Sequence, residues 1–395
     1  MRRGGDNLAR RNNTQKQRLS PVDIAVLTHS MKRGKDWLSG LLNNVNTGFP
    51  IIFSPEMMAL LIHRPRSVGS YVCFVHDLMR VANHPEQYWL EYRIKQANGK
   101  NRDISESCGK LRFYQKWLLQ HVIAHMEIDD HATAYHKGAT LKRNAAPHVG
   151  RDKWLVKLDI KHFFESCSAG MVYRLFLSYG YPPAVAMICR QFTTYKGALP
   201  MGAATSPAIS NALLCNFDRA VAAFCAEREI AYTRYSDDMT FSSEKKVDVH
   251  ELVAFVRNAL EKVGNLRLNY SKTVVVPPKG KRSVCGLTVN EKVSVDRQYK
   301  RKVRQEVYFL EKCDSIEEHL LHRSDCAKYK RKNGELDTVY YLYNLLGRVT
   351  FVLSVQPDLE EFRRYKSLLL DRISTEQVNE DELRLRKLDL RSTFC

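Results

Sequence analysis

Apolar and polar positions change period several times along the chain, and each change predicts an element. After a basic, polar stretch over residues 1–20, Ile24, Leu27 and Met31 recur at helical spacing within residues 21–90. "YWLEYRIKQANGKNRDISES" then reads as a hairpin whose tip, "QANGKN", carries turn residues and positive charge. "KLRFYQKWLLQHVIAHM" has the spacing of an amphipathic helix, and "KWLVKLDIKHFF" that of a core strand emerging at Asp159. In "TSPAISNALLCNFDRAVAAFCAE", Ser206 is placed to cap a helix and Pro207 to occupy its first position. Ile209, Leu213, Phe217, Val221 and Phe224 would give that helix one buried face. "IAYTRYSDDMTFSS" predicts strands over 230–235 and 239–243; a helix over roughly 248–263 and strands near 273–276 and 284–289 follow. From about residue 291 onward the pattern is helical and strongly basic. The class is α+β, with a sheet core in the middle of the chain and helices after it.

Composition narrows the class of partner. A chain of 395 residues is long enough for two or three domains, and 44% hydrophobic with 27% charged residues is ordinary for a globular protein. Sixty-two Lys and Arg against 43 Asp and Glu give +19, with a pI near 9.5. Such an excess points to a polyanion, most often nucleic acid, since solubility alone is more commonly secured with acidic residues. No membrane is expected, because no stretch approaches the ~18 uninterrupted apolar residues of a span. The best candidate, "MVYRLFLSYGYPPAVAMIC", is broken by Arg174, Gly180 and two prolines. The N-terminus lacks the apolar core of a secretion signal, and ten cysteines without a CxxC pair suit a reducing cytoplasm.

The chemistry-bearing feature is "YSDD". Asp237 and Asp238 fall at the turn between two predicted strands, where their charges repel by several kcal/mol at ~4 Å and an effective dielectric near 20. A solvated Asp-Asp turn is common, and a bare Tyr-x-Asp-Asp arises by chance in roughly one chain in thirty, so the motif alone decides nothing. Asp159 adds a third carboxylate at the end of an apolar strand. Sheet pairing that brought it beside the hairpin would create an all-oxygen site suited to Mg²⁺. Two such ions about 4 Å apart serve phosphoryl transfer, one acting on the attacking hydroxyl and one on the leaving pyrophosphate. Between the acids, "LPMGAATSPAISN" offers Gly202, Ala203, Ala204 and Ala208 as a nearly side-chain-free surface for a base pair; standing alone it would read as a loop and helix cap.

Together these residues resemble a reverse transcriptase, and specifically the bacterial retron type. "LDIKHFF" resembles the first palm motif, "LPMGAATSPAISN" the template-primer loop LPQGAPTSPxxSN, and "YSDD" the YxDD box. "LNYSKT" and "VCGLTVN" occur in the family's order, "YRIKQANGKNRDI" resembles the fingers hairpin, and "LLGRVTFVLSVQPDLEEF" resembles the thumb signature around Gly347 and Pro357. The likeness runs from about residue 90 to 370. "NAAPH", Asn144 to His148, is similar to the retron NAxxH element, and Val284-Cys285-Gly286 stands where retrons carry Val-Thr-Gly, a segment implicated in recognising the cognate RNA.

The resemblance implies a right-handed polymerase. Residues 1–70 would form a basic arm and helices, 71–155 fingers, 156–290 palm with a fingers insertion at about 170–200, and 291–395 a basic helical thumb. It implies that Asp159, Asp237 and Asp238 hold two Mg²⁺, with the Ile160 carbonyl as a further ligand. Phe164 would be the gate that selects dNTPs, Lys95 and Arg102 would grip the triphosphate, and Lys272 would protonate pyrophosphate, though a plain surface lysine is nearly as good a reading. Met201 replaces the usual glutamine beside the incoming sugar, Ala204 a proline and Cys285 the threonine. "ISES" stands where many relatives have a proline.

The implied activity is RNA-directed DNA synthesis on a cognate structured noncoding RNA. The product would be a single-stranded DNA joined to a guanosine 2′-oxygen of that RNA, within an antiphage defence system that includes a separate effector protein. The chain ends about 105 residues after Asn290, room for a thumb. No acidic set suggests an attached ribonuclease H, so the host's would remove the template. An intron-type or abortive-infection enzyme of the same fold, and an RNA-holding scaffold with incidental polymerase activity, remain as alternatives.

Two further clusters stand apart. His121, His125, Asp129, Asp130 and His131 suggest zinc only weakly without the glutamate of an HExxH, and read better as surface or RNA-facing groups. In "RQYKRKVRQEVYFLEK", Tyr299, Val303, Val307 and Leu310 share one face, while Arg297, Lys300, Arg301 and Arg304 point away from it. A charge run is usually a solvated face. Joined by "KYKRK" and "PPKGKR", this one favours a phosphate-binding surface.

Overall fold

The structure is a computed structural model that describes residues 49–392 except 65, 66, 96–98, 100, 265, 314 and 332, and the side chains of that range as far as 378. The N-terminal arm, the helix read through Ile24, Leu27 and Met31, and most of the "QANGKN" tip lie outside the described residues. The chain forms two compact units: Met1–Glu127 with His162–Leu213, and Ile128–Lys161 with Leu214–Cys395.

The first unit is helical around one hairpin. Helices Pro55–His63 and Val68–Asn83 start where serines satisfy open backbone donors: Ser54 accepts from Met57 N–H, and Ser67 and Ser70 form a reciprocal capping box. Strands β1 (Trp89–Lys95) and β2 (Asn101–Ser107) pair antiparallel, as the alternation predicts. The next helix, Gly109–His121, ends four residues before His125, which sits in a separate 3₁₀ turn. Tyr114 stacks on Phe192 with ring centroids 4.9 Å apart, and buried Gln115 bridges Ser107 Oγ to the Phe192 carbonyl. A short helix, Phe163–Ser166, and helices Ala169–Ser178, Pro183–Thr193 and Ser206–Leu213 also belong to the unit.

The second unit holds a four-stranded antiparallel sheet in the order β4–β5–β3–β6: β3 Trp154–Asp159, β4 Ala231–Tyr235, β5 Asp238–Ser243 and β6 Val274–Val276. Helices Cys215–Ala226 and Val249–Val263 belong to it, the latter capped by Asp248. A small sheet follows, of β7 Ser283–Val284, β8 Leu287–Thr288 and β9 Ser294–Val295, and then helices Arg297–Lys312, Ile316–Leu321, Thr338–Val355 and Glu360–Ser392. Their apolar faces share one core, in which Val284, Leu287, Val303, Val307, Leu310, Leu345 and Val349 are fully buried. Burying a side chain of this size contributes roughly 1.5–3 kcal/mol.

Two expectations are corrected. The single helix read from Ser206 through Phe224 is two helices broken at Leu214, which has left the helical range at φ −95°, ψ 3°. Ser206 is itself the first helical residue, and its hydroxyl donates to the Pro200 carbonyl at 2.8 Å. The strand read over 284–289 is a tight hairpin. Val284 pairs with Leu287, leaving Cys285 (φ 45°) and Gly286 (φ 80°) as a two-residue turn. Left-handed conformations at both central positions mark the mirror-image turn that matches strand twist.

Candidate active site

The antiparallel register brings the acids to one end of the sheet. β3 sets Leu158 opposite Met239 and Asp159 opposite Asp238. Directly opposed residues share a face, with Cα atoms within about 5.5 Å. Tyr235 pairs with Asp238, so the loop joining β4 to β5 is Ser236–Asp237 and carries the third carboxylate. Ile160 N–H donates to the Asp237 carbonyl at 3.1 Å, while Ile160 itself is buried and bridged to Leu268.

Asp159 and Asp238 differ in their surroundings. Asp159 is 3% exposed; its Oδ1 accepts from Asn269 Nδ2 at 3.1 Å and its Oδ2 from Lys272 Nζ at 2.8 Å. That hydrogen bond, helped by the charges of Asp159, Asp237 and Asp238, holds the Lys272 ammonium above its ordinary range. Burial first, then the charges of Asp237 and Asp159, push the Asp238 carboxyl up. Desolvation lowers Lys157, whose strand position lies opposite Thr240. Among the described residues no three carboxylate, His or Cys side chains already converge in a ligating array; Asp159 is turned toward Lys272.

The hairpin is anchored from within the protein. Arg234 and Asp218 form an ion pair with both side chains at 0% exposure: Nε donates to Oδ1 at 2.8 Å and Nη2 to Oδ2 at 2.6 Å. Tyr232 donates to the same carboxylate, and Arg234 Nη1 donates to the Ser236 carbonyl at 2.9 Å, fixing the residue before Asp237. The sequence reading missed Arg234 and Asp218. Their signal was weak: Arg234 stands between Thr233 and Tyr235 in a strand otherwise free of charge, and Asp218 stands beside Arg219 in "NFDRAV".

Asn144 and His148, expected to meet RNA, are 1% and 0% exposed, so their side chains meet protein instead. His148 bonds Thr233 on β4 and Ser242 on β5, each at 2.8 Å. Burial pushes its imidazole down to about 3. Asn144 accepts from Thr133 Oγ1 at 2.7 Å and donates to Cys285 Sγ at 3.2 Å, joining the NAAPH and VCG elements. Val284 is fully buried, Cys285 partly so, and Gly286 exposed.

In the first unit, Gly202 (φ 117°) lies so close to β2 that a Cβ there would meet Ile104 Cγ2 at 2.8 Å and the Ser105 carbonyl at 2.9 Å; only glycine fits. The half-buried Met201 accepts from Ser105 N–H at 2.8 Å through its carbonyl. Ser206 is buried. Phe164 is half-buried in the short helix Phe163–Ser166, its ring 5.3 Å from that of Phe163. Lys95 and Arg102 are both exposed, but Lys95 pairs with Asn101 and Ile94 with Arg102. Side chains alternate along a strand, so the two cations leave the hairpin from opposite faces.

On the helix Arg297–Lys312, Arg297 and Arg301 are exposed, whereas Arg304 Nε bonds both oxygens of Glu361 at 3.0 and 2.9 Å and Lys300 Nζ bonds Gln356 at 3.0 Å. The histidine cluster does not form a ligand set. His121 lies against Trp117, His125 against Phe49, and His131 Nδ1 bonds Asp129 at 2.7 Å.

Comparison with known proteins agrees with this geometry. The family described as reverse transcriptase (RNA-dependent DNA polymerase) matches residues 94–303, more than half of the chain. The retron Ec86 reverse transcriptase of Escherichia coli is 28% identical over 227 residues, 56% of this chain and 70% of that protein. The retron Mx65 enzyme of Myxococcus xanthus is 28% identical over 62% of this chain and 61% of its own length, and the retron Ec83 enzyme of Escherichia coli 26% identical over 70% and 85%. Among solved structures, telomerase from Candida albicans in complex with a TWJ fragment of telomeric RNA aligns over 74% of this chain and 58% of its own, at 11% identity and TM-score 0.38, too loose a likeness to carry weight. With the YSDD hairpin paired to Asp159 and a family match spanning both, the chain belongs to the reverse transcriptases, the RNA-dependent DNA polymerases, and among them to the retron family.

Proposed function

We propose that the chain copies a cognate structured noncoding RNA, used as both primer and template, into single-stranded DNA that stays joined to the RNA through a guanosine 2′-oxygen. The observation that supports this most is the register of Asp159 against Asp238, with Asp237 in the adjoining turn. Asp159, Asp237 and Asp238, with the Ile160 carbonyl, are the groups that would hold two Mg²⁺. The fit rests on the donor set: antiparallel pairing sets Asp159 opposite Asp238 with Asp237 in the adjoining turn, so carboxylate oxygens suited to a hard divalent cation share one end of the sheet. When bound, the ions supply Lewis acidity to the attacking hydroxyl and charge to the departing pyrophosphate.

The remaining roles belong to this chain's side chains. Phe164 excludes a ribose 2′-hydroxyl, and Lys95 and Arg102 contact the dNTP as separate cations. Lys272 leaves Asp159 to protonate pyrophosphate, and Met201 borders the incoming sugar. Gly202 presents bare backbone to the template-primer, with Arg297 and Arg301 on phosphates. Gly286 is the accessible point of the VCG turn for RNA, while Asn144, His148 and Val284 act through the protein.

We assign fingers to 71–155, palm to 156–290 with the insertion at about 170–200, and a helical thumb to 291–395. The cytoplasmic setting, a host ribonuclease H, a separate effector and a part in antiphage defence follow from kinship with retron enzymes. No helix among the described residues is long and apolar enough to cross a membrane. The test is to extract nucleic acid from expressing cells, with an Asp159→Asn strain as control. A single-stranded DNA that is released from RNA only by debranching, and is absent from the control, is expected. Its absence from both strains overturns the proposal.

A further inference from the structure

Ser236, the residue between Tyr235 and Asp237, has a left-handed backbone at φ 63°, uncommon for any residue but glycine, asparagine or aspartate. It is held at two atoms. Arg234 Nη1 donates to its carbonyl at 2.9 Å, and the Tyr135 hydroxyl, from a segment 101 residues earlier, donates to its Oγ at 2.9 Å. Ser236 is 7% exposed, whereas Tyr135 is 40% exposed. Tyr135 is itself left-handed, at φ 64°, unusual for a bulky residue. Its ring lies 6.4 Å from that of Tyr235, at 41°. The segment that carries it is tied to the same hairpin: Thr133 N–H donates to the Arg234 carbonyl, and Arg234 N–H to the His131 carbonyl, each at 2.8 Å.

Two strained residues joined through their side chains persist only where the surroundings over-determine them. We infer that Tyr135 is a positioning residue for DNA synthesis: its hydroxyl fixes the rotamer and backbone of Ser236, and so the direction in which the adjoining Asp237 and Asp238 present their carboxylates. The inference rests on the polymerase reading of those carboxylates. Tyr135 acts through Ser236 and not on a reacting atom.

The experiment is a double-mutant cycle on the full chain with Tyr135→Phe and Ser236→Ala, which remove the two ends of one hydrogen bond. Single-nucleotide extension on an RNA template is the readout. Each single variant should lower kcat about three- to tenfold, as the loss of one hydrogen bond does, with KM for dNTP nearly unchanged. The double variant should fall no further than the weaker single. Losses that multiply, or a Tyr135→Phe enzyme with wild-type kcat, overturn the inference.

Amide hydrogen exchange across residues 233–241 supplies a readout independent of activity. Tyr135→Phe should speed exchange there at least severalfold while leaving the thermal midpoint within a few degrees; unchanged exchange overturns the inference. A wild-type chain without RNA-templated synthesis sinks the polymerase reading, and the exchange comparison still decides whether Tyr135 orders the turn.

Discussion

Lys272 Nζ sits 2.8 Å from Asp159 Oδ2, so a lysine 59% exposed at its side chain neutralises a carboxylate that is 4% exposed. The lysine and a divalent cation compete for the same oxygen. Lys272→Gln should therefore tighten binding of Mn²⁺ in the absence of nucleotide, by roughly tenfold for a neighbouring charge worth about one pK unit. DNA synthesis should fall in the same variant if Lys272 serves pyrophosphate. Titration followed by electron paramagnetic resonance reads the affinity. Unchanged or weaker Mn²⁺ binding removes Asp159 from the metal set.

The buried Arg234–Asp218 pair makes a stability prediction of opposite sign for single and paired changes. Arg234→Met leaves Asp218 charged and unpaired in a dry site and should cost about 3–5 kcal/mol. Adding Asp218→Leu should return most of that loss. Urea midpoints of the two variants decide; a near-neutral Arg234→Met would mean the carboxylate is not sealed from water.

Acid should destabilise the chain through His148. Its imidazole titrates at about 3 in the fold against an ordinary 6.5, because burial, then Lys153, Arg282 and Lys157, oppose the proton. Above pH 6.5 neither state binds that proton and the stabilisation is complete. Between 6.5 and 3 only the unfolded chain takes it up, so stability falls as pH drops, by at most about 1.4 kcal/mol per unit. His148→Gln keeps polar contacts to Thr233 and Ser242 and should flatten the decline in urea midpoint between pH 7.5 and 5.5 by one proton's worth. Parallel declines in the two proteins would assign the effect to other groups.

Of the four cations read as one phosphate-binding row, the structure leaves Arg297 and Arg301 outward and ties Arg304 to Glu361. Neutralising Arg297 and Arg301 should weaken RNA binding and reduce its salt slope by about 0.7–0.9 for each lost phosphate contact. Arg304→Gln should leave the slope nearly intact. Filter binding across a salt series separates these outcomes, and an unaltered slope in the double variant places the RNA elsewhere.

Phe164→Ala should relax selection against ribonucleotides by roughly tenfold or more, since a removed side chain opens space for the 2′-hydroxyl. Competition between dNTP and NTP in primer extension measures it. Unaltered selection takes the gate away from Phe164.

The hairpins β1–β2 and β4–β5 were legible because alternation and turn chemistry agree over five to seven residues in each strand. The β7–β8 hairpin was not. Its strands are two residues each, and Cys285 stands where such a turn usually announces itself with Asn or Asp. The break at Leu214 carries neither glycine nor proline. The carboxylates were legible from motif and spacing, but the register of β3 against β5 was needed to set Asp159 opposite Asp238. Asn144 and His148 show the converse. Polar letters read as surface or RNA contacts when partners far along the chain are unseen, and here those partners bury them.

The order of strands in the central sheet bears on how the protein is made. β3 lies between β5 and β6, yet leaves the ribosome before either. Until residues 238–276 follow, its two edges have no partner, and "WLVKLD" is an apolar ribbon available to any other nascent chain. Translation pausing or truncation upstream of β5 should therefore yield aggregates rather than a weakened enzyme, because β3 has no sheet to join until the YSDD hairpin has been synthesised.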